Sequence, residues 1–205
     1  MEYIFIAGAP GSKWSSVAKN IYYSPTVDRT DHTDDRTYYH NATGEMLLMH
    51  QGAYFDPGME FDLPVDLSTL SKAELERRFD TPFSGPGRRI IKSHIFAHNI
   101  DYIKHTWPNA PIVLVHRSDD SCLGWWVKCG HFNITYPLYN KYYIDLTHIA
   151  VQIREQNKDI RDAWEKYPGM IPPNNYALAH ILKLVPPPDE YAQDYIKTDI
   201  GVKVI

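Results

Sequence analysis

The segment Ile4–Ser16 constrains this chain more than any other. It reads Ile-Phe-Ile-Ala-Gly-Ala-Pro-Gly-Ser-Lys-Trp-Ser-Ser. A short apolar run gives a buried strand over residues 2–8. A glycine-containing turn follows, and the next residues predict a helix over 13–22. Strand, Gly-rich turn and helix together form an anion-binding arrangement. The turn presents backbone N–H groups, and the helix N-terminus adds partial positive charge. The spacing departs from G-x-x-x-x-G-K-[ST]. Ser12 precedes Lys13 where that pattern has Gly, Ala7 stands six before Lys13, and Trp14 replaces the Mg²⁺-binding Ser/Thr. The alternative is that Gly8 and Gly11 make a tight turn and nothing more. Lys13 with Ser12, Ser15 and Ser16 exceeds what a plain turn needs.

The chain has 205 residues, enough for one domain with a substantial core. Its net charge of −4 argues against a general binder of nucleic acid or anionic membranes, but leaves room for a local basic site. Cys122 and Cys129 lie seven apart in one expected helix, so their Cα atoms are about 10 Å apart, beyond disulfide reach. Free, inert thiols imply a reducing compartment. The N-terminus carries no basic n-region, and its apolar run is too short for a signal peptide or a span. A cytoplasmic location is expected.

From Tyr23 to about Pro64 the pattern weakens. The polar stretch 28–36 reads as a solvated loop, without metal-ligand spacing. Met46–Met49 reads as a short strand or a core turn, and Phe55-Asp56-Pro57-Gly58 as a turn. Ser71-x-x-Glu74 is a capping box opening a helix to Phe79. Arg88–His94 reads as a second strand, followed by a helix over about 97–106. Pro111–Arg117 is a continuous β-branched run, the signature of a strand covered on both faces. Ser118-Asp119-Asp120 opens the next helix, acids first. Beyond Tyr136 the pattern is helical: an amphipathic helix over 146–167, another over 174–183, and a short one near 189–196. The expected architecture is α/β, a P-loop-type three-layer fold. A mainly parallel sheet over 1–135 is flanked by helices, and 136–205 form a helical part of the same single domain.

Three strand ends carry charge: the Ser12/Lys13 loop, Lys92-Ser93-His94, and Arg117-Ser118-Asp119-Asp120-Ser121. In an open parallel sheet ligands bind outside the carboxyl ends of the strands. If the strands are neighbours, Lys13, Lys92, His94 and Arg117 converge on one crevice.

Arg89–Ile95 resembles the Lys-Thr-His segment of nucleotide-dependent sulfotransferases. Val113–Trp126 resembles that family's 3′-phosphate segment, and Pro10–Ser15 its Pro-Lys-Ser-Gly-Thr-Thr-Trp loop. The three occur in the family's order over roughly residues 2–128. The resemblance implies 3′-phosphoadenosine 5′-phosphosulfate (PAPS) as donor and adenosine 3′,5′-bisphosphate (PAP) as product, with no metal. The acceptor would be a small molecule or glycan bearing a hydroxyl or amine. By position, His94 would be the general base, with Lys92 or Lys13 stabilising charge on the bridging oxygen. Gly11, Ser12, Lys13, Ser15 and Ser16 would cradle the 5′-phosphosulfate. Trp14 would stack on adenine, and Arg117 would hold the 3′-phosphate.

Aligned on Pro10, Gly11 stands where the family has Lys, and Lys13 where it has Gly. The family's Ser eight residues after the Arg is Trp125 here, leaving Ser121 or Ser118 to take its place. The C-terminal Arg-Lys-Gly contact has no match. Arg117 could instead pair with Asp119 or Asp120, and His94 could bond to backbone. Trp125, Trp126 and Trp164 read as core. Two other functions compete: a P-loop nucleotide kinase or hydrolase, against which the missing Mg²⁺ ligands count, and a non-catalytic binding module on the same fold.

Overall fold

The computed structural model describes residues 3–34, 37–40, 44–48, 52–130, 143–191 and 199–205. Strand β1 (Tyr3–Gly8) is buried at every position. Its period-2 alternation sends Ile4 and Ile6 to one face, and Tyr3, Phe5 and Ala7 to the other. β1 pairs in parallel with β4 (Arg89–Lys92) on one side and with β5 (Ile112–His116) on the other. β6 (Gly201–Val204) then adds antiparallel to β5, giving the order β4-β1-β5-β6. A separate hairpin joins β2 (Thr37–His40) and β3 (Glu45–Leu48).

Among the described residues six α-helices flank this sheet: α1 (Trp14–Tyr22), α2 (Lys72–Asp80), α3 (Ile100–Thr106), α4 (Asp119–Cys129), α5 (Leu146–Lys166) and α6 (Asn175–Ile181). On one face, Val17 and Ile21 of α1 and Leu178 of α6 meet Ile4, Ile6 and Val113. On the other, Phe5 lies edge-on or tilted against Phe79, Phe96 and Trp107, with centroids 5.3–5.7 Å apart. Helix α5 joins the two faces. Ile149 and Ile153 belong to the first cluster, and Ile160 and Ala163 to the second. Between them, Gln156 and Asn157 are fully buried.

Local sequence explains most boundaries. Ser71 accepts from Glu74 N, as the capping box requires. Asp145 and Asn174 cap α5 and α6 in the same way. Gly130, at φ 73°, closes α4. No helix among the described residues is long and apolar enough to cross a membrane.

Several expectations are corrected. β4 ends at Lys92, and His94 instead opens a 3₁₀ helix over His94–Asn99 that runs into α3. The C-terminal third is not purely helical, because its last residues form β6. Near 189 there is a 3₁₀ turn over Asp189–Tyr191, and 192–196 lie outside the described residues. The 28–34 loop is not simply solvated. Asp28 and Asp31 are buried, Asp28 against Thr30 and Arg89, Asp31 against the Tyr22 hydroxyl. Positions 35 and 36 of that loop, Met49, and His131 lie outside the described residues. Both cysteines are free and buried, and burial pushes their thiols up to about 12.

Candidate functional site

The order β4-β1-β5 sets the three charged strand ends side by side. The central end is the loop from Ala9 to Lys13. Ser12 N donates to Ala9 O at 3.0 Å, closing a tight turn. Gly11 has φ 76°, and a Cβ there would stand 2.1 Å from the Cys122 carbonyl oxygen of α4. Glycine is thus required twice over, by backbone and by contact. Lys13 caps α1 in the left-handed conformation, φ 62°, without a side-chain cap. No acid stands in the first turn of α1, so the helix's own first turn brings no negative charge to the positive end of its dipole. Ser15 and Ser16 are half-buried there. Ser12 turns inward: it is fully buried, and its Oγ has no hydrogen-bond partner among the described residues.

At the β4 end everything is dry. Lys92 is fully buried, its Nζ 5.7 Å from the Trp14 ring centroid. His94 is 2% exposed. Its ring lies on Trp14, centroids 4.1 Å apart, with Tyr54 edge-on at 5.5 Å. His94 Nδ1 contacts the Gly8 carbonyl. A carbonyl oxygen can only accept, so Nδ1 carries the proton and Nε2 the lone pair. Burial pushes the imidazole down to about 3, and Lys92 adds to the effect; the Gly8 contact opposes it. The ring is therefore neutral near pH 7.

Asp56 fixes this corner. Its carboxylate accepts from the Ser93 hydroxyl and from the amides of His94 (2.8 Å) and Ile95 (3.4 Å), so it holds the start of the 3₁₀ helix. This is why the strand stops before His94. Burial pushes Asp56 up to about 6, although hydrogen bonds from Ser93, Tyr54 and the amides hold it back.

The β5 end is partly wet. Arg117 Nε donates to Asp199 Oδ2 at 2.7 Å, and Nη1 to Gly11 O at 3.2 Å. Its ion-pair partner is thus Asp199, not Asp119 or Asp120. Burial raises the Asp199 carboxyl, but hydrogen bonds from Arg117 and Ser121 outweigh it and hold the group below its usual range. Asp119 instead accepts from Asn157 Nδ2 at 2.7 Å, and the same amide reaches Arg117 O at 2.8 Å. Trp125 is half-buried rather than core. Lys13 Nζ lies 4.3 Å from its ring centroid, with Arg117 and Lys128 at 5.9 and 6.0 Å. Burial, then Arg117, pushes the Lys13 ammonium down, and Asp199 opposes.

The four expected groups therefore do not share one open crevice. They form a buried cluster of Lys92 and His94 and a second cluster of half-buried Lys13 and buried Arg117. The loop joins them, braced at Gly8 by His94 and at Gly11 by Arg117. Trp14, expected to stack on adenine, is buried and stacks on His94. Sequence reasoning missed Asp56, Tyr54, Asn157 and Asp199. Asp56 sat in a stretch that reads only as a turn, and Asp199 in a tail with no motif. Among the described residues no group of three or more His, Cys, Asp or Glu is placed to hold a metal ion. No family model, no curated protein and no solved structure matches this chain.

Proposed function

We propose that the protein is a sulfotransferase-type enzyme on a P-loop-type fold, moving a sulfuryl group from PAPS to the hydroxyl or amine of a small-molecule or glycan acceptor. One observation carries the reading. A glycine-containing anion loop and a histidine with its Nε2 lone pair free of a proton sit at the ends of adjacent parallel strands, and they touch through the Gly8 carbonyl.

In this reading the donor supplies the sulfuryl group, held by the loop N–H groups, Lys13 and the first turn of α1. His94 Nε2 takes the proton of the acceptor as its oxygen or nitrogen bonds to sulfur. The bond from sulfur to the bridging phosphate oxygen breaks, and PAP leaves. Lys92 or Lys13 places positive charge near the oxygen that gains it. A neighbouring dianion raises the imidazole from about 3 toward its working range, because it favours the charged form. Asp56 is the positioning residue that holds the backbone of His94.

A second reading has its own support. His94 is 2% exposed and strongly shifted toward neutrality, which suits a structural ring in a non-catalytic nucleotide-binding module. Thermal unfolding with ligands separates the readings. A ligand at 100 times its Kd stabilises by about 2.7 kcal/mol. Stabilisation by PAP but not by Mg-ATP is expected, together with sulfuryl transfer from PAPS to a panel of phenols and sugars. Stabilisation by Mg-ATP alone sinks the sulfotransferase reading. Stabilisation by PAP without transfer favours the module.

A further inference from the structure

Arg117 is the residue that the sulfotransferase resemblance implies for a 3′-phosphate, with Ser121 or Ser118 standing in for the family's serine. Arg117 already binds an anion that the chain itself supplies. Arg117 Nε donates to Asp199 Oδ2 at 2.7 Å, and Ser121 is near enough to help hold that carboxyl below its usual range. The Asp199 side chain is 44% exposed, so solutes reach it, whereas Arg117 beneath it is only 10% exposed. Lys13 lies in the same field, and Trp125 forms a face under Lys13 and Arg117. A guanidinium, a hydroxyl and an ammonium are the donor set of a site for phosphate or sulfate groups.

The position of Asp199 is built into the fold. It precedes Gly201 by two residues, and Gly201 pairs with His116, next to Arg117. Ile200 between them is buried. Strand β6 therefore delivers a carboxylate to the one strand end where Arg117 emerges.

We propose that Asp199 is a resident anion occupying the Arg117–Ser121 site, which an incoming phosphate or sulfate group must displace, so that residue 199 sets which anions the site accepts. The identity of the ligand rests on the PAP-binding reading above; the exchange itself does not. A dianionic group approaching Arg117 meets like charge from Asp199 until that side chain moves away. A ligand bearing only a hydroxyl at this position displaces nothing.

The test compares the wild type with Asp199→Asn, which keeps the size of the side chain and removes its charge. Titration calorimetry measures binding of PAP, adenosine 5′-monophosphate and pyrophosphate. Asp199→Asn is expected to bind PAP at least about tenfold more tightly, with under about twofold change for adenosine 5′-monophosphate. Equal gains for the two nucleotides, or no gain for PAP or pyrophosphate, overturn the proposal. If neither protein binds PAP but the variant gains affinity for pyrophosphate, the resident anion stands and the PAPS reading falls. If both bind PAP equally and pyrophosphate is unaffected, the PAPS reading stands and the resident anion falls. Asp199→Ala repeats the test with no side-chain acceptor left for Arg117 Nε, while Nη1 keeps the Gly11 carbonyl. Loss of the folded state in both variants makes Asp199 a structural residue and also overturns the proposal.

Discussion

On the β4 side of the loop, His94 braces the Gly8 carbonyl from a position 2% exposed, stacked on Trp14. On the β5 side, Arg117 braces the Gly11 carbonyl while its own partner, Asp199, is 44% exposed. Both side chains hold the same loop, but with different physics. The first brace works by desolvation, which makes the ring neutral and couples it to packing. The second works by charge, which water and salt screen and another anion can replace. The dry brace should therefore govern stability and its pH dependence, and the wet brace should govern what binds.

The largest expected effect tests the dry side. His94→Ala removes a packed ring and leaves the Gly8 carbonyl buried without its donor. The loss of stability should be about 3 kcal/mol, read from urea midpoints. On the catalytic reading, turnover is abolished while PAP binding stays near normal once folded protein is compared. Unaltered turnover rules out the base assignment.

The next effect is a slope. His94 stays neutral in the folded protein down to about pH 3, whereas the unfolded imidazole takes up its proton near 6.5. Its contribution is present above 6.5 and is lost as pH falls through that window. Asp56 runs the other way. The folded group keeps its proton up to about pH 6 and the unfolded group only to 3.8, so its contribution is lost as pH rises between them. The two oppose each other. Asp56→Asn removes only the second, and its stability should fall more steeply than that of the wild type from pH 6 to pH 4. Parallel curves over that range would show that Asp56 does not titrate as described.

The smallest effect belongs to the wet side. Lys13→Gly relieves a left-handed lysine and forfeits its contact with Trp125, two changes of opposite sign. The net change in stability should be under about 1 kcal/mol, while binding of PAP weakens several-fold. A large loss of stability would mean that the two sides are not divided as described.

The parts legible in the sequence are those with local causes. The alternation in β1, the continuous apolar run of β5 and the 3.6-residue periodicity of α5 each report burial directly. The Ser71 cap and the free cysteines follow from spacing. The tail Ile200-Gly201-Val202-Lys203-Val204 also alternates. Five residues of alternation carry little weight until β5 stands beside them, so β6 was not readable. Asp56 was hidden for a similar reason. It becomes a cap for His94 because the Tyr54–Lys92 bridge and the bond from Phe55 N to Lys92 O carry it to the end of β4.

What the sequence determined by itself was a mainly parallel sheet with a glycine-containing loop at the end of its first strand, and charged residues at the ends of two further strands. Periodicity and the steric freedom of glycine act between near neighbours, so one chain segment suffices to show them. What only the tertiary structure decided was the state of those charged residues. The partner of Arg117 lies 82 residues away, that of His94 86 away, and the carboxylate fixing His94 38 away. Charge and burial depend on distances through space, and the chain fixes those only after the sheet has closed.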